Sequence, residues 1–521
     1  MSVEASDGGA SVGSSYRSGS NNVGHECHLV IDQNEEFSEE EMKQFNSFNE
    51  VIEVVKKTGL RANAKPKIQK VPSMLRNNDK FKKYFEPKVF SFGPYYHKHR
   101  TLEMAKQIKV ILADDFLKQN GVEKEDLYRD IRNQIKELKD CYVDDLTKDY
   151  KVHELAWMFL VDGCAILQFM YISVNFLANE DTQFRNLQIN FDYEEFLAQD
   201  LFLLENQLPF QLLQLIIGRA SKHQKTKENQ EQSTSSKEDK HASKEDELLE
   251  SIYKFIFYRL RTPEEWYKNK DEILADLKDP HVHLLDLLRK MLIQPLHQKA
   301  EKRDLIEIII DWTVYLFNKL KCNRNGSDRD WFPVPHRNIE KLRKAGINLK
   351  RSKTGCVRDI SFSGGTLKLP PIIVEESTVT MFLNMLGFEM CPDFQNGSEV
   401  STYMYFMDEL IDRTQDVEEL REKNILQNQL GSDEEVVKLF NEISTHLFPN
   451  FKYYKVKRDI GNYFDNKGLM WLRKVCHDIH QYFKGRWSLL AFIGALLAVA
   501  SSIIQAVITA LAYQADSKKG N

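Results

Sequence analysis

The chain has 521 residues, of which 42% are apolar, so it is long and apolar enough for two or three domains with hydrophobic cores. Its 72 basic and 77 acidic side chains give a formal net charge of -5, which excludes the strong positive field of a general nucleic-acid binder. The 7 cysteines include no C-x-x-C pair, which argues against a disulfide framework or a structural zinc site and favours a reducing compartment.

Residues 1–40 are predicted to form a disordered tail. The first twenty residues include seven Ser, four Gly and almost no bulky apolar side chain, so they cannot bury enough surface to offset the entropy lost on ordering. Neither a positively charged start nor a long apolar run precedes Leu29. We therefore expect no secretory signal at this end of the chain.

A turn sequence stands out in the first helical lobe, which is predicted over residues 41–220. Gly93 and Pro94 are expected to form a turn that presents Tyr95, Tyr96 and His97 side by side. A catalytic role would make the histidine a base and a tyrosine a donor, but no nucleophile stands at a defined spacing. Aromatic side chains after a turn usually pack, so we interpret the turn as a structural or interaction motif.

The apolar stretch from 155 to 177 is long enough to cross a membrane, but it contains Asp162 near its middle. A carboxylate there costs about 2.5–3.5 kcal/mol on insertion scales, and Gln168 and Asn175 add to that cost. We therefore predict a helix that is buried inside the protein, with a second membrane span as the alternative. Asp162 then requires a buried partner such as Arg, Lys or backbone amides.

Three adjacent polar residues, Glu205, Asn206 and Gln207, interrupt an otherwise apolar predicted helix. Pro209 lacks an amide hydrogen and its ring crowds a preceding carbonyl, so the helix must kink or restart there. The polar side chains are predicted to cap the freed backbone groups, because an unpaired buried polar group costs about 1–3 kcal/mol. The alternatives are a polar pocket or interface switch, and an enzyme of unknown class with a cleft near His97 and Glu205.

The segment 221–247 has Ala242 as its single apolar residue and nearly balanced charges. This composition is typical of a solvated linker or loop. It separates the first lobe from a second helical lobe, which is predicted over residues 248–484. In that lobe, Ser432 and Glu435 form a capping box. Alternating apolar residues on both sides of Gly364 and Gly365 predict one β-hairpin, so the fold class is mainly α with a minor β element.

Residues 487–513 carry no charge and are predicted to form a transmembrane helix, followed by a short tail over 514–521. Residues 476–480 contain one Cys and two His, too few ligands for a metal site, and no cofactor is predicted. Small residues recur at every fourth position of this helix: Gly494, Ala498, Ser502, Ala506 and Ala510. Because small residues let two helices approach closely in lipid, this pattern predicts a homodimer contact.

The expected topology follows from the flanks of this helix. Five basic residues lie in the twenty positions before it and two lie in the tail, and the more positive flank tends to stay cytosolic. With no N-terminal signal, these features predict a tail anchor with the bulk of the chain in the cytosol, at the plasma membrane or in the secretory pathway.

Several blocks together resemble the plant family built on the domain of unknown function 247. They include Ile68 to Arg76, Glu86 to His97, Met158 to Leu167, Asp200 to Phe210 and His283 to Arg289. The resemblance implies one C-terminal transmembrane helix and no established enzymatic activity. Some grass members are tied genetically to pollen-stigma self-incompatibility, which suggests recognition. We therefore expect a membrane-anchored, non-enzymatic recognition protein with an unknown protein partner.

Overall fold

The computed structural model describes residues 37–58, 66–99, 103–179, 191–231, 243–260, 275, 277, 281–294, 338–395, 397–447, 451–465, 498–499, 501–502 and 505. These residues belong to two compact units, Met1–Ala62 and Asn63–Asn521. The described residues are mainly helical with a few short strands, which confirms the expected fold class at that level.

The described part of the first unit is one helix, α1 (Glu39–Thr58). Ser38 begins it: the amide of Glu41 donates to the Ser38 hydroxyl at 3.3 Å, and the Glu41 carboxylate accepts the Ser38 amide at 2.8 Å. This reciprocal capping box satisfies backbone donors of the first turn. Residues 39 and 40, which were predicted as part of the tail, belong to this helix, and residues 1–36 lie outside the described residues.

The N-terminal part of the second unit is a cluster of helices around a long central one, α7. Its elements are α2 (Ser73–Arg76), α3 (Glu103–Asn120), α4 (Lys124–Asn133), α5 (Ile135–Asp140), α6 (Asp144–Thr147), α7 (Val152–Asn179), α8 (Phe191–Asp200), α9 (Phe210–Glu231) and α10 (Lys244–Arg259). Helices α3, α4, α9 and α10 all pack against α7. Among the described residues α7 is long and apolar enough to cross a membrane, but 89% of its most apolar stretch is buried, which confirms the predicted core helix.

The segment predicted as a linker, 221–247, differs from expectation at both ends. Helix α9 continues to Glu231, and α10 already begins at Lys244, after Ser243 has capped it by accepting the Asp246 amide. Lys, Gln and Glu are good helix formers, so a polar sequence can extend a helix into solvent. Residues 232–242 lie outside the described part. Because α10 packs on α7 and α9, it joins the N-terminal helices, and the division into two lobes stays a prediction.

The C-terminal part combines helices with short strands. The helices are α11 (Leu284–Ile293), α12 (Ile339–Lys344), α13 (Glu376–Glu389), α14 (Glu399–Leu410), α15 (Thr414–Glu422), α16 (Asp433–Ser444) and α17 (Tyr454–Asp465). The strands are β1 (Asn348–Arg351), β2 (Ser361–Ser363), β3 (Thr366–Leu369), β4 (Ile372–Val374) and β5 (Leu426–Asn428). The predicted start of α16 is confirmed, since the Ser432 hydroxyl accepts the Glu435 amide at 3.3 Å. The reciprocal bond is shifted by one residue from that of a capping box, because the Glu435 carboxylate accepts the Gly431 amide at 3.2 Å.

The predicted hairpin is confirmed in register and turn. Strands β2 and β3 pair antiparallel with Phe362 opposite Leu367, and Gly364 and Gly365 have φ of 52° and 70°. Two positive φ values in a two-residue loop are typical of a type I′ turn, which favours glycine. The structure adds parallel pairings of β1 with β3 and of β4 with β5, which were not predicted.

Most of the predicted membrane anchor, 487–513, lies outside the described residues. Ala498, Val499, Ser501, Ser502 and Gln505 are described and helical. The other members of the small-residue pattern, Gly494, Ala506 and Ala510, and residues 476–480 are outside. The transmembrane helix and its homodimer contact therefore stay predictions.

Candidate functional site

The segment from Asp200 to Phe210 is a sharp break between two helices. Helix α8 ends at Asp200, a 3-10 turn covers Leu204–Asn206, and α9 begins at Phe210. The chain bends by 95° between α8 and the helical segment that starts at Leu204. The predicted restart at Pro209 is confirmed, because α9 begins at the next residue, Phe210. The three polar residues do not lie inside a long helix, however, because α8 already ends at Asp200.

Asn206 and Gln207 bond the carbonyls left free at this break. The Gln207 amide nitrogen donates to the carbonyls of Leu201 and Leu203 at 2.7 and 2.8 Å. The Asn206 amide nitrogen donates to the Asp200 carbonyl at 2.8 Å. All of these side chains are buried, so the bonds replace those that the C-terminal carbonyls of α8 would otherwise lack.

The same segment holds a loop, residues 86–97, which we call the motif loop. Asp200 is 1% exposed, and its carboxylate accepts three consecutive loop amides at 2.8 Å each: those of Lys88, Val89 and Phe90. Two residues further on, the side-chain oxygen Oδ1 of Asn206 accepts the backbone amide of Phe92 at 2.7 Å. The motif loop contains no helix or strand, so its amides lack the backbone acceptors of regular structure. The side chains of Asp200 and Asn206 accept them instead.

Asp162 of α7 bonds the tip of the motif loop and finds the predicted buried partner. One carboxylate oxygen accepts the Gly93 amide at 2.9 Å, and the other accepts Lys109 of α3 at 2.5 Å. The ammonium of Lys109 also donates to the Ser91 carbonyl at 2.6 Å. Both charged side chains are almost fully buried. The pair therefore links α3, α7 and the loop.

Glu205 joins two further elements to the break. Its carboxylate accepts the Val71 amide at 3.0 Å and the Tyr96 hydroxyl at 2.8 Å. The guanidinium of Arg76 lies 3.7 Å from it. Burial raises the pKa of Glu205, although the charge of Arg76 and these hydrogen bonds oppose the effect. We call Asp162, Asp200, Glu205, Asn206 and Gln207 together the loop-binding cluster.

The acid groups of this cluster are poorly placed for proton transfer to a substrate. Burial outweighs the three amide bonds and raises the pKa of Asp200 to about 7, a value that would suit a general base. However, its oxygens face the motif loop and not solvent, and those of Glu205 are bonded within the protein. Burial also raises the pKa of Tyr96 well above its ordinary value.

The aromatic residues after the turn point to different neighbours. Tyr95 and Tyr96 are in edge contact at 4.5 Å, and the Pro94 carbonyl accepts the Tyr150 hydroxyl at 2.6 Å. His97 is half-buried, and burial lowers its pKa. Within the described residues its buried Nδ1 has no hydrogen-bond partner. The structure thus brings Tyr96 to Glu205 but shows no bond between His97 and that carboxylate.

Gly93 is the point of closest approach between the loop and the break. Its φ is +69°, and a Cβ there would lie 2.8 Å from the Gln207 carbonyl oxygen. We expect Gly93→Ala to lower the free energy of unfolding by about 1–3 kcal/mol, because the left-handed conformation and the clash both oppose a side chain. Equilibrium urea unfolding measures this loss, and Gly218→Ala, where a Cβ meets nothing within 4 Å, is the control. An equal effect of both substitutions would contradict the close approach.

Two residues of this framework, Asn384 and Lys109, were not predicted from the sequence. Asn384 of α13 accepts the Leu204 amide and donates to the Tyr84 carbonyl, both at 2.8 Å. Lys109 could have been found from the sequence, because it lies at helical spacing on the buried, otherwise apolar face of α3 with Ala105 and Leu112. A lone lysine on an apolar stripe indicates a buried partner.

A second buried charge cluster lies in the C-terminal part and centres on Arg289 of α11. Its guanidinium is 2% exposed and donates to Glu389 at 2.7 Å, to Glu399 at 2.6 Å and to the Gly397 carbonyl at 2.9 Å. Glu399 also pairs with Arg358 and Lys452. Burial alone would raise the pKa of Glu399, but these hydrogen bonds and the charge of Arg289 outweigh it and lower the pKa to about 2.

His283, at the N-terminus of α11, is fully buried. Its Nδ1 accepts the Asp286 amide at 3.1 Å, its ring lies 4.6 Å from that of Phe388, and its Nε2 has no partner within the described residues. Burial lowers the pKa of His283 to about 4. The neutral ring therefore caps the helix.

This histidine predicts a pH dependence of stability. Because the pKa is about 4 in the folded chain and about 6.5 in an unfolded chain, the unfolded chain binds more protons between these values. The contribution of neutral His283 to the free energy of unfolding is then fully present above pH 6.5 and decreases as the pH falls toward 4. Going from pH 7.5 to 5 should cost about 2 kcal/mol through this group. His283→Asn keeps an N-cap acceptor without a titrating group, so its urea-unfolding free energy should fall by about 2 kcal/mol less over this range. Equal pH slopes would rule out the buried neutral ring.

No group of three or more His, Cys, Asp or Glu with metal-binding geometry occurs among the residues that the structure describes. Neither His97 nor Glu205 lines the cavity beside strands β4 and β5, or the one between α15 and α16.

Comparison with known proteins places these features in a family. The sequence profile of DUF247, described as "Plant protein of unknown function", matches residues 68–501. UPF0481 protein At3g47200 of Arabidopsis thaliana is 27% identical over 458 residues, with 84% of this chain and 85% of that protein covered. Putative UPF0481 protein At3g02645 of the same plant is 23% identical, with 79% of this chain and 84% of that protein covered. No solved structure gives a significant match.

Proposed function

The chain belongs to the DUF247 family of plant proteins, and we propose from this premise that it is a non-enzymatic recognition protein held at a membrane by its C-terminal segment. In this proposal the family's sequence blocks build a rigid scaffold. Recognition of a protein partner is left to the outer surface of that scaffold.

The observation that carries the proposal is how the loop-binding cluster uses its polar atoms. Asp162, Asp200 and Glu205 are the three carboxylates of this cluster, and each accepts one or more backbone amides of this chain. A catalytic acid or base must reach a substrate proton within hydrogen-bond distance. Carboxylates bonded and buried in this way support a structural role and speak against a cleft near His97 and Glu205.

The membrane anchor is supported by sequence. Residues 487–513 carry no charge, exceed the length needed to span the hydrocarbon layer, and are flanked by basic residues. We propose a single span with the bulk of the chain in the cytosol, and a homodimer contact through the small-residue pattern of that span.

The anchor is tested by fractionation and protease protection. The full chain should stay in membranes after an alkaline carbonate wash, whereas a chain ending at Arg486 should be released. On sealed microsomes, added protease should digest the bulk of the full chain. Asn325 and Asn396 each begin an Asn-Gly-Ser sequon, which is glycosylated only in the secretory lumen. Protection of the bulk, together with glycosylation at these residues, would contradict the proposed orientation.

Recognition is tested by proximity labelling in plant membranes with three matched chains. They are the full chain, a chimera with an unrelated transmembrane helix in place of 487–513, and Glu205→Gln, which keeps the size of the side chain but removes its charge. Apart from copies of this chain itself, we expect the same labelled proteins with all three chains, once folding is verified by thermal unfolding. Two results with a normally folded Glu205→Gln chain would contradict the scaffold proposal and support the enzymatic alternative. One is a changed set of labelled proteins, and the other is accumulation of a small molecule in plants that carry this variant.

A further inference from the structure

A cavity of about 440 Å³ lies beside the β4–β5 strand pair. Strand residues Ile372 and Leu426 form one wall, α13 forms another, and the ends of α10 and α11 contribute Leu260 and Leu292. Its volume lies within the range of sites that bind small molecules, roughly 300–1,000 Å³. It is separate from the loop-binding cluster, none of whose residues lines it.

Much of the lining of this cavity is apolar. Met381, Phe382 and Met385 of α13 line it together with Leu260 and Leu292. Methionine side chains are flexible and polarizable, so they adapt to apolar groups of different shapes. This surface suits the hydrocarbon or aromatic body of a ligand.

The charged lining of the cavity is entirely positive among the described residues. It contains three arginines, Arg259, Arg351 and Arg421, and no Asp or Glu. Glu194 and Glu195 already pair with Arg259. Arg421 has one longer contact, 3.4 Å to Asp433, and its side chain is 48% exposed. Arg351 is exposed and has no carboxylate within ion-pair distance in the described part of the chain. Two guanidinium groups are thus available to a bound anion.

We propose that this cavity binds a small organic anion, with its carboxylate or phosphate at Arg351 and Arg421 and its apolar body against the methionines of α13. Guanidinium groups bind both kinds of oxyanion through paired hydrogen bonds, and the side-chain amides of Asn424 and Gln427, which line the same cavity, are further donors. The inference goes beyond partner recognition, because it assigns a ligand to the protein itself.

The test measures binding to the full chain in nanodiscs of neutral phosphatidylcholine by isothermal titration calorimetry. Decanoate and phenyl phosphate supply a charge and an apolar body, inorganic phosphate supplies charge alone, and decanol supplies the apolar body alone. We expect at least one of the two organic anions to bind at least tenfold more tightly than inorganic phosphate and decanol. Equal affinity for all four probes, or binding of neither organic anion, would overturn the proposal.

Two variants locate the binding. Arg351→Gln combined with Arg421→Gln should weaken binding of the organic anion at least tenfold. Both side chains are exposed, so the chain is expected to fold. Arg343→Gln is the matched control, because this arginine is 69% exposed and does not line the cavity. Equal losses in the double variant and the control would overturn the assignment. Repeating the titration in nanodiscs containing phosphatidylserine identifies the source: weakened binding there means that membrane lipid supplies the anion, and unchanged binding means a free acid.

Discussion

Replacing Arg289 with methionine should lower the free energy of unfolding by about 3–5 kcal/mol. The guanidinium is the buried cation that pairs Glu389 of α13 with Glu399 of α14, and methionine leaves Glu389 as a buried charge without a cation. Removing one partner of a buried ion pair is far more damaging than removing an exposed pair, because the remaining charge keeps its desolvation penalty. Equilibrium urea unfolding of the full chain in a mild detergent measures the loss.

Two comparisons interpret this result. Arg343→Met removes an exposed arginine whose nearest carboxylate oxygen, on Glu419, is 4.0 Å away, so it should change stability by less than about 0.5 kcal/mol. Adding Glu389→Gln to Arg289→Met removes the unpaired charge and should recover part of the loss. A loss no larger than that of Arg343→Met would contradict the buried ion cluster.

The second large effect is expected at Lys109. Lys109→Met leaves the Asp162 carboxylate buried with the Gly93 amide as its remaining partner, which should lower the free energy of unfolding by about 3–5 kcal/mol. Asp162→Asn added to this variant keeps an acceptor for Gly93 and removes the charge. The double variant should therefore be more stable than Lys109→Met alone, and urea unfolding of the two single variants and the double variant gives the coupling free energy. Strict additivity would mean that the two side chains do not interact.

Patterns of short range were readable from the sequence. The Gly-Gly pair between two alternating runs predicted the hairpin and its turn, and Ser432 with Glu435 predicted the start of α16, because both features depend on neighbouring residues. The long apolar run around Asp162 was also predicted as a buried helix. A carboxylate is too costly in lipid and needs a partner inside the protein.

Partners across long distances could not be predicted. The lysine that pairs with Asp162 stands 53 positions earlier, and the amides that Asp200 accepts stand more than a hundred positions earlier, in a loop without regular structure. No local pattern specifies such contacts, since they depend on how helices pack. The bend of 95° shows the same limit: it falls between Asp200 and Leu204, ahead of Pro209, where no proline or glycine marks the end of α8.

The loop-binding cluster is buried, and we propose that it is a framework and not an accessible site. Native-state hydrogen exchange of the motif loop tests it directly. The amides of Lys88, Val89, Phe90, Phe92 and Gly93 lie in no helix or strand, yet each donates to a buried side chain. We expect these amides to exchange only with global unfolding, as slowly as those of α7. Fast exchange of the five amides, while α7 remains protected, would show an open loop and contradict the buried framework.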